Sequence, residues 1–188
     1  MTAPPIAGKS LASDEPCEKG WIKVWDPLLR VFHWSLAGAV ITAYVSDGAR
    51  TVHESAGYIA LALVLVRLLW GVVGPRHARF ADFLRSPRAV YDYLGEILTM
   101  TARRYLGHNP AGGAMIVALL ILVTVTGVSG WLTTTDRFFG VWWMEGLHSR
   151  SADLLIAFAG LHVVGVIASS VLHKENLVRA MITGRKRP

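Results

Sequence analysis

Apolar residues run along this chain in four long stretches separated by polar segments. Runs free of Asp, Glu, Lys and Arg extend from Val31 to Ser46, Ser55 to Val66, Ala111 to Thr135 and Leu154 to Leu172. The second is broken by Arg67 and resumes from Leu68 to Pro75. A helix needs about 20 apolar residues to cross roughly 30 Å of hydrocarbon. The third and fourth runs suffice alone. The first needs Leu28, Leu29 and the stem of Arg30, which can snorkel. The second needs Arg67 to be kept inside. The pattern predicts an all-α membrane protein, a bundle of four transmembrane helices at about 28–46, 53–74, 112–134 and 149–172.

Two segments fall outside the spans. Residues 1–20 hold no apolar core of signal-peptide length and read as a flexible cytosolic tail, leaving 21–188 as the membrane domain. Between the second and third spans, Ser86-Pro87 reads as an N-cap followed by a first-turn proline. Val90, Tyr91, Leu94, Ile97, Leu98 and Met100 then form an apolar stripe. This predicts a short amphipathic helix, about 87–103, lying along the inner membrane surface. A plain surface helix without membrane contact is the alternative.

Composition agrees with the spans. Apolar residues make up 53% and charged residues 17% of the 188, against about 25% charged in a soluble domain. One cysteine, Cys17, excludes a disulfide scaffold. The net charge of +6 is a topology signal, because the cations are unevenly placed. Lys9, Lys19, Lys23 and Arg30 precede the first span. Arg76, Arg79, Arg85, Arg88, Arg103 and Arg104 lie between the second and third, and Lys174, Arg179, Arg185, Lys186 and Arg187 follow the fourth. The opposite side carries Arg50, Arg137 and Arg150. The positive-inside rule then places both termini in the cytoplasm. No basic stripe interleaves with aromatics, so nucleic acid is not an expected partner. Trp21, Trp25, Trp34, Trp70, Trp131, Trp142 and Trp143 all fall near expected span ends, as an interfacial belt would.

Four histidines lie within or at the mouths of spans. An ionisable side chain in hydrocarbon is costly and marks a functional site by default; the bland reading of any single one is an interhelical hydrogen bond. His148 and His162 are 14 residues apart, which on a helix means about 21 Å of depth and nearly the same face. His33 falls at the inner depth and His53 at the outer one. An inner pair, His33 with His162, and an outer pair, His53 with His148, result. Paired imidazoles from facing helices are what a six-coordinate haem iron needs, so two haems are expected near opposite membrane faces. Zinc would want four ligands at one depth. No Cys-x-x-Cys-His occurs for covalent haem, and carboxylate pairs are absent from the spans. A histidine proton relay lacks a carboxylate joining the two depths. His173 shares a face with His162 and is the other conceivable partner of His33, but it sits at the inner edge beside Lys174 and Glu175. His77 falls in the basic loop and reads as solvated.

Arg67 lies 14 residues after His53, hence at the depth of the inner pair. Either it binds a haem propionate or it snorkels inward. Arg30, one turn before His33, is a weaker propionate candidate. Gly57, Gly127 and Gly130 would let helix backbones approach a flat macrocycle, or serve ordinary small-residue packing.

The motifs form a recognisable set: Asp26-Pro-x-x-Arg30-x-x-His33-Trp34, His53-x-x-x-Gly57, Arg67-x-x-Trp70-Gly71, Gly107-His108-Asn109-Pro110-x-Gly112-Gly113, the His148/His162 spacing, and His173-Lys174-Glu175-Asn176-Leu177. Over residues 21–188 the chain resembles the bacterial cytochrome b561 and nickel-hydrogenase-type cytochrome b superfamily. The resemblance implies two b-type haems, with the fourth helix giving one ligand to each. It also implies electron transfer between the quinone pool and a hydrogenase, a dehydrogenase or a periplasmic c-type cytochrome at the bacterial inner membrane. An Asn-x-Gly element at the start of the third helix contributes to quinone binding in related proteins, which makes His108 and Asn109 quinone candidates. The same residues are also good turn chemistry. One branch of the superfamily oxidises superoxide at the outer face and reduces quinone, an enzymatic alternative. A non-redox small membrane subunit is the remaining one.

Overall fold

Prolines behind small polar residues start three of the seven helices described. In the computed structural model, which describes residues 21–75 and 78–187, α1 spans Pro27–Val45. Its cap is Asp26, whose Oδ1 accepts the Leu29 N–H at 2.9 Å. The next helix, α2, spans Arg50–Val73. A four-residue α3, Phe80–Phe83, precedes α4, Pro87–Leu98. Ser86 caps α4 through the Ala89 N–H at 3.3 Å. The third long helix, α5, spans Pro110–Thr133, capped by Asn109 through the Gly112 N–H at 2.6 Å. Next come α6, Trp142–Leu172, and α7, Leu177–Thr183. Such caps satisfy backbone donors that a helix start would leave orphaned. The expected tail, 1–20, and His77 lie outside the described residues.

Four of these helices, α1, α2, α5 and α6, are long and apolar enough to cross a membrane, as the sequence predicts. They pack in the order α1 on α2, α2 on α5 and α5 on α6. Ala60 and Val64 of α2, Leu120 and Val123 of α5 and Leu155 of α6 form the shared core, with Phe32, Leu36 and Val40 of α1 against it. By contrast, α1 and α2 make almost no backbone contact with α6. The two hairpins are joined on one side and held apart on the other.

Several boundaries differ from expectation. The last long helix begins at Trp142, not near 149; its 31 residues rise about 46 Å and exceed a bilayer core. Glu145, Arg150 and Asp153 break the apolar pattern over its first turns. The amphipathic helix stops at Leu98, not 103. The Thr99 hydroxyl turns back onto the Gly95 carbonyl at 3.1 Å, and Met100 has a φ of 59°. The short α3 is unforeseen. Its Phe80 ring lies where a Cβ on Gly71 would stand, and the Phe83 carbonyl would be 2.7 Å from a Cβ on Gly113. Glycine at both positions lets the loop fold back against α2 and α5.

A cap at the end of the bundle that holds Trp25 and Gly184 is also unforeseen. Residues Ile22–Lys23 (β1) pair antiparallel with Arg185–Lys186 (β2). The Gly184 carbonyl accepts from the Val24 and Trp25 N–H groups at 2.9 and 3.1 Å. Trp25 is therefore buried with Val24 and Leu29 rather than standing in an interfacial belt. Glu175 ties the cap to the loop before α5, accepting from Arg104 Nη2 at 3.3 Å and from the Arg187 N–H at 3.3 Å. Burial alone would raise its pKa. The Arg104 hydrogen bond, with the charges of Lys186 and Arg104 and the Arg187 N–H, outweighs burial and holds it below the ordinary carboxylate value. A carboxylate depressed in the folded state stabilises it above the unfolded pKa, and that contribution disappears as pH falls through the folded pKa. The cap is thus expected to loosen below about pH 4, read as faster proteolysis near Gly184. Glu175→Gln should show that faster cleavage already at neutral pH.

Candidate functional site

Helical periodicity sends the four expected histidines to two levels between the separated helices. At the level nearer the β1–β2 cap, the inner one by the sequence expectation, His33 of α1 and His162 of α6 have ring centroids 6.3 Å apart. His173, the alternative inner partner, caps the C-terminus of α6, its N–H on the Ser169 carbonyl. At the outer level, His53 of α2 and His148 of α6 have centroids 5.8 Å apart. An imidazole nitrogen about 2 Å from a metal puts two trans ring centroids about 6 Å apart. Both pairs therefore bring two imidazoles to a spacing at which one metal ion could be held between them. Each pair also bridges helices whose backbones come little into contact.

Hydrogen bonds settle the tautomer of the outer pair. His53 Nδ1 is 2.8 Å from the Ala43 carbonyl, and His148 Nδ1 is 2.9 Å from the Thr126 carbonyl. A carbonyl only accepts, so Nδ1 carries the proton in each ring. Nε2 is left with its lone pair, as a metal ligand requires. A cavity of about 350 Å³ opens beside these rings, lined by His53, Gly57, Gly127, Gly130, Trp131 and His148 among others. A Cβ on Gly57 would meet nothing within 4 Å, whereas a Cβ on Gly130 would be 2.7 Å from His148 Cε1. Gly127 also lies against Leu61, so it lines the cavity and serves helix packing as well. At the inner level His33 Nδ1 is buried with no hydrogen-bond partner among the described residues.

Arg67 does not snorkel. It is 3% exposed, with its guanidinium carbon 4.8 Å from the Phe80 ring centroid and 5.9 Å from that of Phe83. Its Nη1 and Nη2 are buried without a hydrogen-bond partner among the described residues. A buried guanidinium with idle donors calls for an anion. Trp70, one turn further along α2, also buries an unpaired Nε1; it stood in the sequence motif, but only burial marks it as a donor. Arg30 donates through Nη1 to the Ile182 carbonyl and keeps a buried, unpaired Nε. The residues present fit a haem: axial nitrogens in facing pairs, and cationic donors for carboxylates at the inner level. The quinone candidates lie at the inner end. His108 packs between Trp25 and Phe83, at centroid distances of 4.5 and 4.8 Å. Asn109 Oδ1 is committed to capping α5.

Comparison with known proteins agrees with this chemistry. The family model described as prokaryotic cytochrome b561 matches residues 24–184. A probable Ni/Fe-hydrogenase B-type cytochrome subunit of Rhodobacter capsulatus is 25% identical, covering 88% of this chain and 81% of that protein. Proteins of the same description from Azotobacter vinelandii and Rhizobium leguminosarum bv. viciae are 23% and 20% identical, covering 87% and 95% of each chain respectively. No solved structure matches significantly. With four apolar helices and a family match over nearly its whole described length, the chain belongs to the prokaryotic cytochrome b561 family, multi-pass membrane cytochromes that carry b-type haem and transfer electrons.

Proposed function

We propose that this protein carries electrons across the bacterial inner membrane through two b-type haems, between the quinone pool and a redox partner. The reading rests above all on two histidine pairs at two levels, each spanning helices whose backbones come little into contact. His33 and His162 would hold the inner haem, His53 and His148 the outer one. When bound, a haem supplies reversible one-electron chemistry at its iron. The protein's part is position and electrostatics. His53 and His148 present Nε2 because backbone carbonyls hold Nδ1–H, and the hydrophobic shell of α2, α5 and α6 excludes water between the levels. Arg67, with Arg30, would bind propionates at the inner level and favour the reduced state by its charge.

The levels lie about 21 Å apart along α6, most of a bilayer core. Each electron moved across 100 mV does about 2.3 kcal/mol of electrical work. The distribution of lysine and arginine supports cytoplasmic termini and an outer pair near the periplasm. A hydrogenase is the favoured donor, because the relatives are described as cytochrome subunits of Ni/Fe-hydrogenases. A dehydrogenase or a periplasmic c-type cytochrome would use the same outer level. Quinone exchange is assigned to the inner end, beside His108 and Asn109, where Trp25 and Phe83 hold the imidazole in place.

Haem content of detergent-purified protein, measured as the pyridine haemochrome, tests this reading. Two b-type haems per chain are expected, with one remaining in each of His33→Ala and His148→Ala. A single haem in the parent protein, or both retained in His148→Ala, would overturn the assignment.

A further inference from the structure

Around His148 the backbone and small hydroxyls of two helices close a ring of hydrogen bonds. The His148 Nδ1–H donates to the Thr126 carbonyl at 2.9 Å. The Thr126 hydroxyl donates to Ser151 Oγ at 3.0 Å, and the Ser151 hydroxyl donates back to the His148 carbonyl at 3.0 Å. The ring joins α5 to α6 and fixes both the height and the rotation of the imidazole. Ser151 is 7% exposed, so these bonds form away from water, where they are strong and costly to break.

A third hydroxyl reaches this ring. Ser129, 2% exposed, donates its Oγ–H to the same Thr126 carbonyl at 3.0 Å. That oxygen also receives the Gly130 N–H in the α5 ladder. A carbonyl has two lone pairs. Three donors therefore share them, and each bond is weaker than it would be alone. The Nδ1–H bond of a metal-bound imidazole governs its electron donation: a stronger acceptor makes the ring more basic and favours the oxidised metal. By drawing on the carbonyl, the Ser129 hydroxyl limits that donation.

We propose that Ser129 and Ser151 are positioning residues for the outer haem. Ser151, with Thr126, sets the orientation of the His148 ring, and Ser129 raises the midpoint potential of the haem that His148 holds. This rests on the assignment of His148 as an axial ligand. Neither serine touches the metal, and Ser129→Ala removes a donor without stranding an acceptor, since the Thr126 carbonyl keeps its other partners.

The full-length protein with its haems is titrated spectroelectrochemically as the parent and as Ser129→Ala, Ser129→Cys, Ser151→Ala and His148→Ala. Ser129→Ala is expected to keep two haems, to lower one midpoint potential and to leave the other in place. Ser129→Cys, a weaker donor, should give a smaller shift in the same direction. Ser151→Ala should keep both haems and change the low-spin ferric g-values of that same haem. Parent values for both midpoints in Ser129→Ala, or an upward shift, would overturn the role of Ser129; unchanged g-values in Ser151→Ala would overturn that of Ser151. Retention of both haems in His148→Ala would instead remove the ligand assignment beneath the proposal, and the serine results would not be needed to show it.

Discussion

Gly130→Ala is expected to halve the haem content of the protein. A Cβ at this position would stand 2.7 Å from Cε1 and 2.9 Å from Nδ1 of His148, well inside contact distance. The α5 backbone is held one turn back, where Gly127 lies against Leu61 of α2. The ring is the element that can move, and moving it breaks the 2.9 Å bond to the Thr126 carbonyl and turns Nε2 off its axis. One haem per chain should remain, with the spectrum of the inner centre. Gly146→Ala is the control. It lies in α6, away from the cavity lining, with nothing within 4 Å of the added methyl. Alanine there should keep both haems and gain up to about 1 kcal/mol from helix propensity. Two haems in Gly130→Ala would mean that His148 is not an axial ligand.

Arg67→Leu gives the second large effect, and its sign is informative. A guanidinium buried without a counter-charge is a liability, and replacing it with an apolar side chain would stabilise the fold. Paired to a propionate, the same guanidinium becomes one half of a buried ion pair, and removing it costs about 3–5 kcal/mol. The unpaired Nη1 and Nη2 favour the second case. Arg67→Leu is therefore expected to lower retention of the inner haem by roughly two to three powers of ten, and to lower the thermal midpoint of the haem-loaded protein. A raised thermal midpoint with both haems kept would show that no anion sits there. Arg67→Lys separates charge from geometry. It keeps the charge but lacks the planar fork that holds a carboxylate at two points, so partial retention is expected.

The bundle was legible in the sequence because a bilayer leaves little choice. Backbone groups in hydrocarbon must be satisfied within the segment, so an apolar run long enough to cross becomes a helix. Asp26-Pro27, Ser86-Pro87 and Asn109-Pro110 mark helix starts by local chemistry that no later packing overrides. The elements that escaped notice owe their existence to distant partners. The strands Ile22–Lys23 and Arg185–Lys186 are too short to carry a pattern, and they exist because the chain's two ends meet. The buried Trp25 read as a belt tryptophan because nothing nearby in sequence announces Gly184 or His108. The start of α6 carries Glu145, Arg150 and Asp153, which break the apolar run that would announce it.

The candidate site divides along the same line. The levels of His33, His53, His148 and His162 follow from residue spacing and a fixed rise per residue, and no packing detail enters. The sequence by itself thus determined four spans, two depths and four imidazoles. Tertiary structure alone decided the carbonyls of Ala43 and Thr126 that choose each outer tautomer, since a backbone acceptor has no residue-type signature. It alone decided that Arg67 is enclosed by Phe80 and Phe83 rather than reaching the headgroups, because those rings arrive from a loop that folds back through Gly71 and Gly113. It alone placed Ser129 and Ser151 around His148, where the crossing of α5 and α6 converts ordinary small residues into parts of that side chain's support.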